Sequence, residues 1–99
     1  MKLTIQYHTE KPAVELDVTE TAPGLCIGPN PAYADCRQRP KFAVFHVTSA
    51  TIIRAVKSMK AARELAGRLA PLLDWTRPAE SLTWEELAPA LKIAKEYAQ

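Results

Sequence analysis

Residues 42–75 read FAVFHVTSATIIRAVKSMKAARELAGRLAPLLDW, and this stretch decides the fold. Residues 42–47 are apolar at nearly every position, which is typical of a central strand covered on both faces. Residues 51–56 are rich in β-branched side chains, which favour a second strand. After residue 58 the apolar positions recur at the three- and four-residue intervals of one helix face, at Ala62, Leu65, Ala66 and Leu69. The stretch therefore predicts strand, turn, strand and helix.

The helix within this stretch has a clear start signal. Ser58 is a suitable N-cap, and we predict the helix over about residues 59–70. A single long helix from Ala50 to Ala70, capped by Ser49, also fits the apolar spacing. We favour the two strands and the shorter helix, because consecutive β-branched residues and Ser58 disfavour the longer one.

The N-terminal residues alternate between polar and apolar side chains. Residues 2–8 and residues 13–19 both show the period of two that is typical of a half-buried strand. The segment between them is short and contains Pro12, which suits a turn. We therefore predict an antiparallel hairpin at the start of the chain.

Prolines and glycines interrupt this regular pattern over residues 20–41. Such residues punctuate turns and loops, here at Pro23, Gly24, Gly28, Pro29, Pro31 and Pro40. We predict a long loop over about residues 20–41, with a short strand at residues 25–27 as an alternative. Connections of this length are usually functional or poorly ordered.

The C-terminal segment begins with a second helix signal. Thr83 and Glu86 have the spacing of a capping box, in which Thr83 is the N-cap. We predict a helix over about residues 84–97, whose first turn is separated or kinked by Pro89. Its apolar face would consist of Trp84, Leu87, Leu91, Ala94 and Ala98.

These segments together predict one α+β domain that spans residues 1–99. A small antiparallel sheet of three to five strands, drawn from residues 2–56, would pack against the helices at about 59–70 and 84–97. A chain of this length buries roughly 60–65% of its unfolded surface, which is enough for one core.

The charge distribution is the strongest indication of function. The net charge is +2, but residues 1–36 carry −3, residues 37–68 carry +7 and residues 69–99 carry −2. Lys and Arg bind nucleic acids by neutralising phosphates. We therefore predict a non-catalytic domain that binds nucleic acid, DNA or RNA, through Arg37, Arg39, Lys41, Arg54, Lys57, Lys60, Arg63 and Arg68. An acidic protein partner would be bound by the same charges.

Aromatic side chains support a second hypothesis, a protein-binding module. Trp is enriched at the hot spots of interfaces, and Trp75 and Trp84 flank the loop before the last helix. A partner protein would dock on these residues, on Tyr33 in the long loop, or on a strand edge. The favoured alternative for both Trp side chains is the core, where they would pack the C-terminal helix onto the rest of the domain. The oligomeric state is open, with a homodimer as one alternative.

The histidines and cysteines match no familiar catalytic or metal-binding spacing. His8, Cys26, Cys36 and His46 have at least nine residues between neighbours, unlike the close cysteine pairs of zinc sites. We expect His46 to be a hydrogen-bonded core residue and the cysteines to be free thiols. Since nucleophile and phosphate-loop motifs are lacking too, we predict no enzyme, no cofactor and no metal.

The hydropathy pattern argues against a membrane protein. No segment approaches the roughly 20 apolar residues of a membrane span, and the first eight residues lack the apolar region of a signal peptide. We expect a cytoplasmic protein whose cysteines are reduced.

Residues 42–47, followed by KSMKAARELAGRL at 57–69 and by residues 74–76, resemble the small uncharacterised proteins of actinobacterial phages. The Ala-rich, Pro-containing composition fits such high-GC genomes. The resemblance covers about a third of the chain, and its motif is a strand followed by an Ala-x-x-Leu-Ala helix. It implies an accessory role in binding DNA or a host protein, and it transfers no site residue. Strand-strand-helix units also occur in DNA-binding domains, an analogy of fold alone.

Overall fold

The computed structural model describes residues 1–6, 10 and 12–97. In chain order these residues form β1 (Lys2–Ile5), β2 (Val14–Asp17), β3 (Thr19–Ala22), β4 (Leu25–Pro29), α1 (Pro31–Asp35), β5 (Phe42–His46), β6 (Thr51–Val56), α2 (Met59–Leu69) and α3 (Trp84–Lys95). Short 3-10 turns lie between α2 and α3, at Ala70–Leu72 and Ala79–Ser81. The α+β class with a small antiparallel sheet is confirmed, although the strands divide into two sheets, β1-β2 and β3-β4-β5-β6.

The four-stranded sheet is the middle of three layers. One of its faces packs against α2 and α3, in a cluster of buried residues that includes Leu25, Ile27, Val44, Leu65 and Leu69. The other face packs against the β1–β2 hairpin, in a second cluster formed by Leu3, Ile5, Val18, Cys26, Ala43 and Phe45. Burial on both faces is the reason that β4 and β5 are apolar at nearly every position.

The N-terminal hairpin forms as the alternating pattern predicts. β1 and β2 are antiparallel, with Leu3 opposite Leu16 and Ile5 opposite Val14. The apolar members of these pairs face the four-stranded sheet, because alternate residues of a strand lie on the same side. Residues 7–9 and 11, which include the end of the first predicted strand and part of the predicted turn, lie outside the described residues.

The decisive stretch folds as a hairpin followed by a helix. β5 and β6 are antiparallel neighbours, so the alternative of one helix from Ala50 to Ala70 is wrong. The turn between the strands has no glycine, and Ala50 adopts a left-handed conformation with φ 53°. The hydroxyl of Ser58 accepts a hydrogen bond from the Ala61 amide at 3.1 Å, as expected of the N-cap of α2.

The predicted loop over residues 20–41 is wrong for most of its length, because it contains the rest of β3, all of β4 and α1. The short strand considered at residues 25–27 is confirmed, as part of β4. Gly24, with φ 86°, makes a hairpin turn between β3 and β4. Gly28 lies inside β4 where Val18 crosses it, and a Cβ at this position would lie 2.8 Å from a methyl carbon of Val18. Pro31 begins α1 directly after its N-cap, Asn30. In the structure Gly24 makes a turn, Gly28 allows a close contact between strands and Pro31 starts a helix. These residues therefore do not indicate one continuous loop.

The last helix runs through Pro89 as one segment, so the separate first turn is not found. Thr83 is its N-cap, accepting from the Glu86 amide at 3.2 Å. The Glu86 carboxylate pairs with Arg77, which lowers the pKa of Glu86.

The predicted apolar face of α3 is partly wrong. Trp84 was expected on this face but is 74% exposed, because the buried residues of α3, Ala90 and Ala94, begin well beyond its first turn. The predicted position of Ala98 lies outside the described residues.

Two glycines give a matched test of this architecture. At Gly24, an added Cβ would overlap the backbone carbonyl of Trp75, in a conformation that L-residues rarely adopt. We expect Gly24→Ala to lower the free energy of unfolding by more than about 2 kcal/mol. At Gly67, an added Cβ meets no atom within 4 Å, so a methyl group fits at this helical position without displacing a neighbour.

We expect Gly67→Ala to raise the free energy of unfolding by about 0.5–1 kcal/mol, because alanine loses less conformational freedom in a helix. Urea denaturation of both variants beside the unchanged protein measures the two effects. Equal effects at the two positions would contradict the contact between the β3–β4 turn and Trp75.

Candidate nucleic-acid interface

Five of the eight predicted basic residues lie around one end of the four-stranded sheet. At this end β4 stops at Pro29, β5 starts at Phe42 and β6 stops at Val56, and these three residues are paired across the sheet. The segment between β4 and β5 and the segment that follows β6 carry exposed basic side chains. We call this set the basic end, and it consists of Arg37, Arg39, Lys41, Lys57 and Lys60.

Asn30 fixes the path of the chain through the basic end. Its side chain is 5% exposed, and its amide nitrogen donates to the Pro40 carbonyl at 2.8 Å. Its carbonyl oxygen accepts from the Ala32 amide, which caps α1. Its backbone amide also donates to the Lys41 carbonyl at 2.8 Å. One buried side chain therefore joins the start of α1 to the segment that carries Arg39 and Lys41.

Tyr33 of α1 brings two of the cations together. The Arg37 guanidinium carbon lies 5.8 Å from the centre of the Tyr33 ring, and the Lys41 ammonium nitrogen lies 5.7 Å from it. Cations at this distance are attracted by the ring quadrupole, by about 0.5–1 kcal/mol at exposed sites. The ring therefore helps to hold two like charges side by side. Tyr33, predicted as a protein contact, is half-buried among the basic residues.

The start of α2 adds positive potential to the same place. Lys57 directly follows β6, and Lys60 lies in the first turn of α2, which contains no acidic residue. Unpaired amides at a helix N-terminus carry a partial positive charge. Arg63 is exposed about one turn further along α2, and the next residue in the chain, Glu64, is also exposed.

Arg54 and Arg68 do not join the basic end. Arg54 is opposite Val44 in the β5–β6 ladder and is partly buried, and its Nε is buried with no hydrogen-bond partner. Arg68 is near the other end of α2, where it donates to both carboxylate oxygens of Glu96 at 3.2 Å and lies over the Tyr97 ring. The predicted surface is therefore smaller than the set of basic residues in the sequence.

The two tryptophans have opposite environments. Trp75 is 3% exposed, and its indole donates to the Leu69 carbonyl at 2.8 Å. Its predicted role as a partner contact is wrong for the folded protein, because the side chain belongs to the core. Trp84 is 74% exposed and remains accessible to a partner.

His46 is a buried, hydrogen-bonded residue, as expected. It is 5% exposed, and its ring nitrogens contact the Ser49 hydroxyl and the Trp75 carbonyl, each at 2.8 Å. The Thr48 hydroxyl also contacts Nε2 and donates to the Arg77 carbonyl. This network ties the β5–β6 turn to the segment between α2 and α3. This network could not be predicted from the sequence, since nothing in the spacing of residues 46–51 and 75 relates them.

The cysteines are free thiols in different environments. Cys26 is buried in the sheet, and burial, together with the nearby Glu20 carboxylate, raises its pKa from 9.0 to about 11. Cys36 is exposed at the end of α1, next to Arg37 in the chain. Across residues 1–6, 10 and 12–97, no group of three His, Cys, Asp or Glu side chains could hold a metal ion.

The described part of the chain contains no helix long and apolar enough to cross a membrane. Comparisons with known proteins found no matching family model, no similar curated protein and no similar solved structure.

The two thiols should react at very different rates. At about pH 8, a thiol with the pKa of Cys26 is about one part in a thousand thiolate, the form that reacts. We expect one equivalent of 5,5′-dithiobis(2-nitrobenzoate) to react promptly, at Cys36, and the second only after denaturation. Cys36→Ser should remove the prompt phase, and Cys26→Ala should leave it intact. A prompt reaction of both thiols would contradict the burial of Cys26.

Proposed function

We propose that this protein binds nucleic acid through the basic end, as a non-catalytic accessory domain. The observation that carries the proposal is the grouping of Arg37, Arg39, Lys41, Lys57 and Lys60, which come from two separate chain segments, at one end of the sheet. An accessory role is also what the resemblance to actinobacterial phage proteins implies.

The electrostatics of the basic end favour a polyanion. Like charges within about 10 Å repel one another at moderate ionic strength. Asn30 and Tyr33 nevertheless hold the segment that carries Arg37, Arg39 and Lys41 in a hydrogen-bonded path. Phosphates relieve this repulsion, and binding also releases the counterions condensed on the nucleic acid. The contacts are to backbone phosphates, so the proposal includes no sequence preference.

Fluorescence anisotropy with labelled duplex DNA and single-stranded RNA tests the proposal. Five phosphate contacts predict that binding weakens by about 100-fold or more between about 50 and 200 mM salt. We expect the triple variant R37A/R39A/K41A to bind more weakly at every salt concentration, with a salt dependence reduced by roughly three contacts.

The matched control is the triple variant K2A/K92A/K95A, which removes three exposed lysines on β1 and α3. Both triple variants change the net charge from +2 to −1, so general electrostatic attraction falls equally. We expect the control to retain most of the affinity. Equal losses in the two variants, or no binding of the unchanged protein at the lower salt, would overturn the assignment to the basic end.

Cys36 offers a second readout of the same surface. It lies beside Arg37, so bound nucleic acid should slow its reaction with a negatively charged thiol reagent. The same experiment with an uncharged reagent, such as iodoacetamide, distinguishes two causes of a slower reaction. Steric protection slows both reagents, whereas a change in the local electrostatic potential slows mainly the charged one. Protection of Cys36 that disappears at high salt supports the location. Binding without protection would place the nucleic acid on another part of the surface.

The exposed Trp84 favours a second candidate function, protein binding. An aromatic side chain that is 74% exposed is a suitable anchor for an interface. It lies on the first turn of α3, in a different part of the chain from the basic end. Trp84→Ala should leave the anisotropy titration unchanged if the two functions use separate surfaces, and a loss of nucleic-acid affinity would place Trp84 in the same interface.

A further inference from the structure

A cavity of about 340 Å³ lies beside the β5–β6 turn, between β6 and the start of α3. Its walls are mainly apolar, with Ile53, Leu82, Leu87 and Leu91 among the lining residues. The volume is at the lower end of the range of small-molecule sites, about 300–1,000 Å³. One corner is polar, because His46, Ser49 and Thr51 also line the cavity.

The hydrogen bonds of this corner form a chain with one direction. The Trp75 carbonyl can only accept, so the Nε2 of His46, 2.8 Å away, must donate to it. In the neutral imidazole Nδ1 is then an acceptor. The Ser49 hydroxyl, 2.8 Å from Nδ1, therefore donates to His46.

The direction continues to the hydroxyl of Thr51. Ser49 has one hydroxyl hydrogen, which is used on His46, so across the 2.6 Å contact between the two hydroxyls Thr51 is the donor. The hydrogen of the Thr51 hydroxyl is thereby used as well. The oxygens of Ser49 and Thr51 keep lone pairs but have no hydrogen left to donate. The polar corner therefore consists of acceptors.

We propose that this cavity binds a small, uncharged apolar molecule that carries a hydrogen-bond donor at one end, such as a phenol or an alcohol. The apolar part occupies the wall formed by Leu82, Leu87 and Leu91, and the donor reaches the hydroxyl oxygen of Thr51. A carboxylate or an ether of the same shape places its own acceptor oxygens against the acceptor oxygen of Thr51, so no hydrogen bond forms there.

The Ser49–His46 contact also resembles part of a nucleophile–base pair. Here a backbone carbonyl, rather than a carboxylate, orients the imidazole, and Ser49 and His46 are both engaged in the chain that ends at Thr51. The site is accordingly assigned to binding, and it is separate from the proposed nucleic-acid interface.

The fluorescence of Trp75, which lines the cavity, is the reporter. Trp84→Phe removes the only other tryptophan and is an exposed substitution outside the cavity. In this background the protein is titrated at about pH 8 with 4-propylphenol, 4-propylanisole and 4-propylbenzoate. We expect the phenol to bind about tenfold more tightly than the ether, the worth of one hydrogen bond, and the benzoate to bind most weakly.

The variant Thr51→Val removes the acceptor and keeps the shape. We expect it to abolish the preference for the phenol over the ether, whereas the control Thr19→Val, at an exposed strand position on β3, keeps it. The readout is a ratio of two affinities within one variant, so modest changes in stability do not affect it. Equal affinity for phenol and ether, no saturable change with either, or a preference that survives Thr51→Val would each overturn the proposal.

Discussion

The structure depends on one constraint, which is that β4 and β5 must be buried on both faces. Their side chains are apolar on both sides, so the chain must supply a cover for each. The β1–β2 hairpin covers one face, and α2 and α3 cover the other. With both faces of β4 and β5 closed, few polar side chains can lie within these two strands, and the polar groups near them gather where the strands end. The basic end lies at one of these ends, and the His46 network lies at the other.

The antiparallel strand order places different connections, with different side chains, at the two ends of the four-stranded sheet. Each strand returns the chain to the opposite end, so the connections of β4–β5 and of β6–α2 share one end, and the turns of β3–β4 and β5–β6 share the other. The first pair of connections is rich in Lys and Arg, whereas the second contains hydroxyl groups and glycine. The exposed basic side chains and the apolar cavity therefore lie at opposite ends of the sheet.

Local patterns were sufficient to predict much of this fold. The β1–β2 hairpin, β5, β6 and α2 follow from periodicity, and Ser58 and Thr83 mark their helices because an N-cap is a short-range interaction. Residues 20–41 were predicted as a loop because proline and glycine usually interrupt regular structure. There, Gly24 makes a hairpin turn with a positive φ, but the close contacts at Gly24 and Gly28 come from Trp75 and Val18, which are their neighbours in space rather than in sequence.

The residues of the candidate site could also be predicted only in part, because contacts between distant segments decide which of them are exposed. The excess of positive charge in residues 37–68 was evident from the sequence. Which of these basic residues lie at the basic end, and which are buried or paired elsewhere, was not. Arg54 is partly buried because it lies opposite Val44, and Arg68 is neutralised by Glu96, 28 residues away. The tryptophans could not be told apart, because burial of Trp75 depends on the position of the segment that follows α2. Residue types suggested a hypothesis for the function, and long-range pairing selects which of the basic residues share one end of the sheet.

The contacts of Trp75 also bear on the order in which the chain folds. Its backbone carbonyl group packs against Gly24 and accepts from His46, so the segment after α2 is held by two hairpin ends that are distant in sequence. Contacts of such separation require the closure of large loops, which is slow compared with the formation of a hairpin or a helix. The segment can be fixed only when the β3–β4 and β5–β6 turns are both in place. We therefore expect the cavity beside it to be among the last features to form as the protein folds.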